Sequence, residues 1–183
     1  MNRFFVFLLF LVCLYSSAFS QTKLKWNGAY WAFGITNMSV ETRLSKKFTF
    51  NGDLVFSPWE SIAGNPFLFG MVIPEVRFYP KDAFNGFYLG GFGAFQLFRM
   101  SKWNYINTGK YQEGRGFTLG MSVGYELRIN DRWSLDMFFG GGWQNSQYRG
   151  YHTATGEQYV GWNGSGEWLP YKIGLSFAYT LGR

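Results

Sequence analysis

The chain has 183 residues, of which 22% are aromatic and 15% charged, with 24 glycines and a formal charge of +6. Ordinary soluble domains carry about 25% charged residues, yet no run after residue 20 approaches the roughly 18 apolar residues of a membrane-spanning helix, which excludes a helical membrane protein. The basic residues are scattered rather than gathered into a patch, so composition gives no support to nucleic-acid binding. In chain order, Asn2 and Arg3 make a short basic start, Phe4 to Leu14 is an unbroken apolar run, and Ala18-Phe19-Ser20 fits a small-x-small cleavage site. Residues 1–20 therefore read as a secretory signal peptide. The one cysteine, Cys13, lies in that run between Val12 and Leu14, poor neighbours for a lipid-acceptor cysteine, and the mature chain is left without disulfides or cysteine-based metal sites. Residues 21–183 suffice for one domain.

Period-two alternation then recurs, which is the signature of strands with two unlike faces. A first strand is expected over 24–34, less cleanly patterned, and a second over 38–45. On 48–57, Phe48, Phe50, Leu54 and Phe56 share a face; the stretches 68–79 and 87–100 are noisier. On 117–129, Phe117, Leu119, Met121, Val123, Tyr125, Leu127 and Ile129 alternate with small or polar residues, and on 133–144 Trp133, Leu135, Met137, Phe139 and Trp143 do the same. The eighth strand is the final stretch 171–183, where Tyr171, Ile173, Leu175, Phe177, Tyr179 and Leu181 form the apolar set. Pro74 falls inside the fourth strand, where a bulge or a local bend is expected because proline removes a ladder hydrogen bond.

The connections alternate as well. Those at 45–47, 80–85 and 130–132 are short, whereas 57–67, 101–116 and 145–168 are long and rich in Gly, Asn, Ser and aromatics; the remaining one on the long side, near Thr36-Asn37, is brief. Eight antiparallel strands with short turns on one side and long loops on the other predict an all-β, up-and-down barrel of the outer-membrane type, OmpA-like in architecture, with both termini on the periplasmic side. The competing architecture is a soluble eight-stranded barrel of lipocalin type. Such a barrel would turn a Lys- and Glu-rich face to water. Here the polar set is mostly Gly, Ser, Thr and Ala with about one charge per strand, while the bulky set suits lipid. In a closed barrel the last strand pairs with the first, so the terminal strand leaves no edge exposed.

If the apolar face points outward, the charged residues of the other face fill the lumen. Three Glu-x-Arg triplets, Glu41/Arg43, Glu75/Arg77 and Glu126/Arg128, each lie shortly before a short turn, and Asp53, Asp136 and Lys172 belong to the same set. An eight-stranded barrel is just wide enough for side chains to fill, and a charge there is costly unless paired. A connected ion-pair network acting as a plug is expected, with a narrow or gated ion path as the alternative.

The terminal segment resembles the carboxy-terminal assembly signal of bacterial outer-membrane barrels, polar-x-Gly-x-x-aromatic-x-aromatic, filled here by Lys172, Gly174, Phe177 and Tyr179. Four further segments carry a second resemblance: Ser57-Pro58-Trp59, Ile73-Pro74-Glu75-Val76-Arg77-Phe78-Tyr79, Ala83-Phe84-Asn85-Gly86, and Gly124-Tyr125-Glu126-Leu127 leading to Arg132-Trp133-Ser134-Leu135-Asp136. In this order they resemble a family of small secreted proteins from Bacteroidetes catalogued as a domain of unknown function, over about residues 25–181. Its members commonly show Asn-Pro-Trp and Gln-Pro-Glu-Val-Arg-Tyr at the first two segments. The resemblance implies an outer-membrane β-barrel, sometimes encoded near fimbrial genes, and supplies no catalytic residues.

A lipid-modifying barrel enzyme would need a serine and a histidine held together. The one histidine, His152, lies in the last long loop, and Ser122, Ser134 and Ser176 face the lumen; no catalytic role, metal or cofactor is expected. Among the aromatics of the long loops, Trp103, Tyr105, Tyr151, Trp162 and Trp168 are candidates either for packing the rim or for docking a sugar or a protein. The expected role is a membrane anchor, scaffold or surface-interaction protein. Expected partners are outer-membrane lipid and lipopolysaccharide, the barrel-assembly machinery during insertion, and an envelope or fimbrial protein, with no nucleic acid.

Overall fold

In the computed structural model, which describes residues 21–62, 64–102 and 108–181, eight antiparallel strands form a closed barrel in sequence order. They are β1 (Thr22–Asn27), β2 (Thr36–Arg43), β3 (Phe48–Ile62), β4 (Asn65–Phe78), β5 (Gly86–Met100), β6 (Lys110–Arg128), β7 (Trp133–His152) and β8 (Gln158–Thr180); one short helix, α1 (Gly28–Ala32), lies between β1 and β2. The ring closes where β1 pairs with β8, from Lys23 opposite Thr180 to Asn27 opposite Ser176. The signal-peptide expectation for residues 1–20 lies outside the described residues.

The two faces of the wall have opposite chemistry. Met121, Leu119 and Ile173 point outward with 70%, 62% and 63% of their surface exposed, while Glu41, Asp136 and Tyr88 are wholly buried on the inner face. Strand periodicity enforces this: side chains at i and i+2 share a face, so the alternating sequence of β6 sends Phe117, Leu119, Met121 and Val123 out and Thr118, Ser122 and Glu126 in.

Several boundaries differ from the sequence reading. The expected first strand over 24–34 ends at Asn27, whose side chain accepts a hydrogen bond from Ala29 N at 3.0 Å and so starts α1. Asparagine is a strong helix N-cap, and the glycine after it weakens any strand. The long loops expected at 57–67 and 145–168 are largely strand, and β6 reaches into the one expected at 101–116. β3 and β4 nearly meet, β6 begins at Lys110, and β7 and β8 form a tall hairpin that turns only between His152 and Gln158. Glycines and asparagines made these stretches look irregular, yet the ladder extends through them, from Gln144 opposite Glu167 to Tyr148 opposite Asn163. Gly156, at φ +71°, supplies the left-handed residue of the turn, a conformation that costs glycine little.

Pro74 causes no bulge. It stands opposite Gly52 on β3, and the β4–β5 ladder skips Ile73 and Pro74 but resumes in the same register. One of the register shifts lies in β8 instead: Gly140 pairs with Lys172 and Gly142 with Leu169, so β8 carries one extra residue there. An extra residue inverts the alternation beyond it. Tyr171, expected on the outward face, consequently turns into the lumen, where its hydroxyl bonds Gln96 Oε1.

Candidate functional site: the lumenal network

Three layers fill the barrel from the short-turn end upward. The first is an aromatic floor. The segment after β4 folds back into the mouth, burying Tyr79, Ala83 and Phe84 against Tyr88, with Phe138 packed alongside. Tyr79 and Tyr88 rings lie 5.1 Å apart. Phe84 takes a φ of +68° to reach this position, an uncommon conformation for a bulky residue and a local strain. Backbone bonds hold the segment from the neighbouring turn: Tyr79 N donates to Lys47 O and Ala83 N to Lys46 O, each at 2.8 Å.

Above the floor is the ion-pair network. Arg77, on β4, donates from Nη1 to Glu41 Oε2 at 2.9 Å and Asp136 Oδ2 at 2.8 Å, and from Nε to Glu75 Oε2 at 2.7 Å. Its guanidinium sits over the Tyr88 ring, 4.5 Å from the centroid. Lys172, on β8, joins Asp53 Oδ2 at 2.9 Å to Glu75 Oε2 at 2.8 Å. Lys25, on β1, pairs with Glu41, with Asp136 at 3.0 Å and with Glu126 at 3.3 Å; Lys23 pairs with Glu126 and donates to Ser134 Oγ at 2.7 Å. Neutral donors complete the shell: the Tyr79 hydroxyl reaches Glu41 at 3.1 Å and Glu126 at 3.2 Å, the Tyr88 hydroxyl reaches Asp136 at 2.9 Å, and Ser39, Thr49 and Ser122 bond Asp53, Glu41 and Glu75. Every carboxylate of the network thus has a cation and a hydroxyl, the arrangement needed to offset the several kcal/mol cost of removing each ion from water.

The membership differs from expectation in two cations. Arg43 lies at the mouth, bonding Gln21 Oε1 at 3.0 Å and Ala83 O at 3.2 Å and covering the Phe84 ring. Arg128 lies beyond the rim, its side chain 62% exposed, and pairs with Asp131 at 2.8 Å. Both carry the correct parity, but each is the last residue of its strand, too near the short-turn end to reach the carboxylates. Lys23 and Lys25 take their places. The readable signal was the run Thr22-Lys23-Leu24-Lys25-Trp26, in which both lysines alternate with apolar residues. Glu41, Glu126 and Asp136 also bring one oxygen each within 4.8 Å of the others, a spacing suited to a metal ion, but the Lys25 ammonium pairs with all three and holds that place.

The third layer is apolar: Val55, Ile73, Phe92 and Ala94, with Tyr30, Ile35, Phe69, Met71 and Tyr171 packed on them. Room for the large rings comes from glycine on the adjacent strand, Gly124 pairing with Tyr88 and Gly120 with Phe92 across the β5–β6 ladder. A Cβ at Gly124 would collide with the Tyr88 ring and the Met137 carbonyl, and one at Gly120 with Phe92. Above this layer the lumen opens into a cavity of about 390 Å³.

The residues of the assembly-signal pattern face different neighbours, and two of them, Gly174 and Phe177, meet β1. Lys172 enters the network, Gly174 leaves space for the Asn27 amide, Phe177 stacks on Trp26 at 6.4 Å, and Tyr179 meets Trp133 edge-on at 5.0 Å. Of the candidate docking aromatics, Trp103 and Tyr105 lie outside the described residues. Tyr151 stacks on Tyr111 at 5.4 Å, and Trp162 and Trp168 stand exposed on β8. Arg149 covers the Trp162 ring at 4.4 Å. In register, Arg99, Glu113 and Arg149 form one outward row across β5, β6 and β7, with Arg115 and Gln147 in a second row below; sequence reading missed this patch because its members are far apart in the chain. His152 packs against Tyr159 at the hairpin tip.

A family model described as "Protein of unknown function (DUF3575)" matches residues 4–181. No curated protein matches the chain, and no solved structure matches it.

Proposed function

The chain belongs to the DUF3575 family of proteins of unknown function, and from its own geometry we propose that it is an integral barrel of a bacterial outer membrane, exported by residues 1–20, that serves as an anchor, scaffold or surface-interaction protein. The observation that carries this reading is the inverted polarity of the wall, with a continuous outward face of Phe, Leu, Met, Val and Ile around buried ion pairs. Exposed apolar area on that scale is foreign to soluble monomers and suits hydrocarbon. A membrane-crossing strand needs roughly 9–11 residues; β7 and β8 have 20 and 23. The tall hairpin therefore projects beyond the bilayer, with Arg99 and Arg149 one row above Leu97 and Arg115 one row above Phe117, where phosphate-bearing headgroups such as those of lipopolysaccharide would lie. The hairpin is the surface offered to an envelope or appendage protein, and the assembly machinery would read the β8 terminus.

The test is physical. The mature polypeptide should fold only with detergent or lipid, and epitopes inserted at residues 154–156 should be reachable on intact cells. A folded monomer in plain buffer would sink the proposal.

A further inference from the structure

The barrel is complete only in its lower half. β1 pairs with β8 no higher than Ser176, and β2 pairs with β3 no higher than Phe56. Above these levels the edge of β8 and the edge of β3 face each other without a strand between them. The interval is bridged by α1 and residues 33–35, tied on one side by Asn27 Nδ2 to Ile173 O at 3.2 Å and on the other by Trp59 Nε1 to Phe33 O at 3.0 Å. A crevice of about 700 Å³ runs through this seam, lined by Tyr30, Phe33, Ile35, Trp59, Phe67 and Ile173 among others. Ile173 belongs to the outward face, whereas Phe67 and Tyr30 also line the upper lumenal cavity. Tyr30 and Phe67 thus form the wall shared by the outer crevice and the inner cavity.

We propose that this seam is a lateral entrance through which one acyl chain of a membrane lipid reaches the upper lumen; the inference rests on the membrane reading above. Three features select that occupant. The outer end opens at Ile173, in line with the exposed Leu175 and Phe177, so whatever bathes the apolar belt also meets the crevice. The inner cavity is lined by hydrocarbon along Phe67, Phe69, Met71, Phe98, Met100 and Leu169, and several of its polar side chains are paired with one another, Gln96 with Tyr171 and Lys102 with Glu167; its volume falls in the range of ligand sites, about 300–1,000 Å³. The edge of β8 that faces the seam also has a backbone group satisfied without a partner strand, as an apolar surrounding requires: the Ile173 carbonyl accepts from Asn27 Nδ2. Tyr30, lining both cavities, is the residue a chain must pass.

The full mature protein, reconstituted in phosphatidylethanolamine–phosphatidylglycerol vesicles containing a phospholipid with a mid-chain diazirine, tests this by photolabelling and residue-level mass spectrometry. Label on Met71, Phe98 and Tyr171 as well as on the outward Leu119, Met121 and Phe139 is expected, and Met71→Trp, which fills the cavity, should abolish the lumenal label and leave the outward label unchanged. Outward label alone would overturn the lateral entrance while leaving the membrane reading intact; no label on either set would overturn both. Lumenal label obtained with a free diazirine fatty acid added to the aqueous phase, but not with the phospholipid, would show loading from the mouth and would also overturn it.

Discussion

Arg77 on β4 donates from Nη1 to Asp136 Oδ2 on β7 at 2.8 Å, although those two strands share no ladder. The bond crosses the lumen, and with the pairs from Arg77 to Glu41 and Glu75 it connects three parts of the wall that backbone hydrogen bonding leaves independent. The network therefore acts as an internal brace, and its loss should be felt by the barrel as a whole.

Arg77→Ala leaves Glu41, Glu75 and Asp136 short of a cation in a site without water access. Breaking a buried ion pair by removing one partner costs roughly 3–5 kcal/mol, so the urea midpoint of the barrel folded in vesicles should fall markedly. An unchanged midpoint would show that the lumen is wetter than its burial implies.

Lys25 and Arg128 make a matched pair of probes, because sequence alone points to Arg128 and the structure to Lys25. Lys25→Ala removes the ammonium shared by Glu41, Glu126 and Asp136 and should destabilise by about as much as Arg77→Ala. Arg128→Ala touches only an exposed pair and should stay within about 0.5 kcal/mol. The same unfolding assay ranks them.

Gly124→Leu forces a side chain into the space held by the Tyr88 ring and the Met137 carbonyl. Overpacking of this kind typically costs about 1–3 kcal/mol, and the heat-modifiable folded band on gels should weaken. The outward neighbour Val123→Leu is the control and should leave that band unchanged.

The aromatic floor and the ion-pair layer together predict a silent barrel in planar bilayers. Steady, selective single-channel currents from the wild-type protein would contradict the plug. Replacing Tyr79, Phe84 and Tyr88 together by alanine removes most of the floor and should produce measurable, noisy conductance.

Trp162→Ala combined with Arg149→Ala strips the outward stack of the tall hairpin. Stability should shift by no more than about 0.5 kcal/mol for such exposed positions, while crosslinks to an envelope or appendage protein on intact cells should disappear. A loosened barrel with unchanged crosslinks would assign the stack to rim packing instead.

Alternation made the eight strands and their antiparallel order readable before any coordinates, because each ladder step turns a side chain to the opposite face. The inward set was readable by the same rule, which placed Glu41, Asp53, Glu75, Arg77, Glu126, Asp136 and Lys172 in one lumen. Parity says nothing of depth, however. Arg43 and Arg128 obey it and still miss the network, since a residue at a strand end lies at the rim. Lys23 was overlooked because the expected first strand, 24–34, begins two residues after the true start at Thr22; Lys25 fell inside that range, but the poor alternation beyond Asn27 left its face unassigned.

What the residue order determined by itself was a two-faced wall: period-two patterning and short turns suffice to specify eight strands, greasy on one side and charged on the other. Only the tertiary structure decided which cation meets which carboxylate, that Tyr171 turns inward past an extra residue in β8, and that the wall parts above Ser176 and Phe56. Those outcomes depend on register between strands distant in the chain, and register is settled by the closing of the ring, a property that no single strand carries.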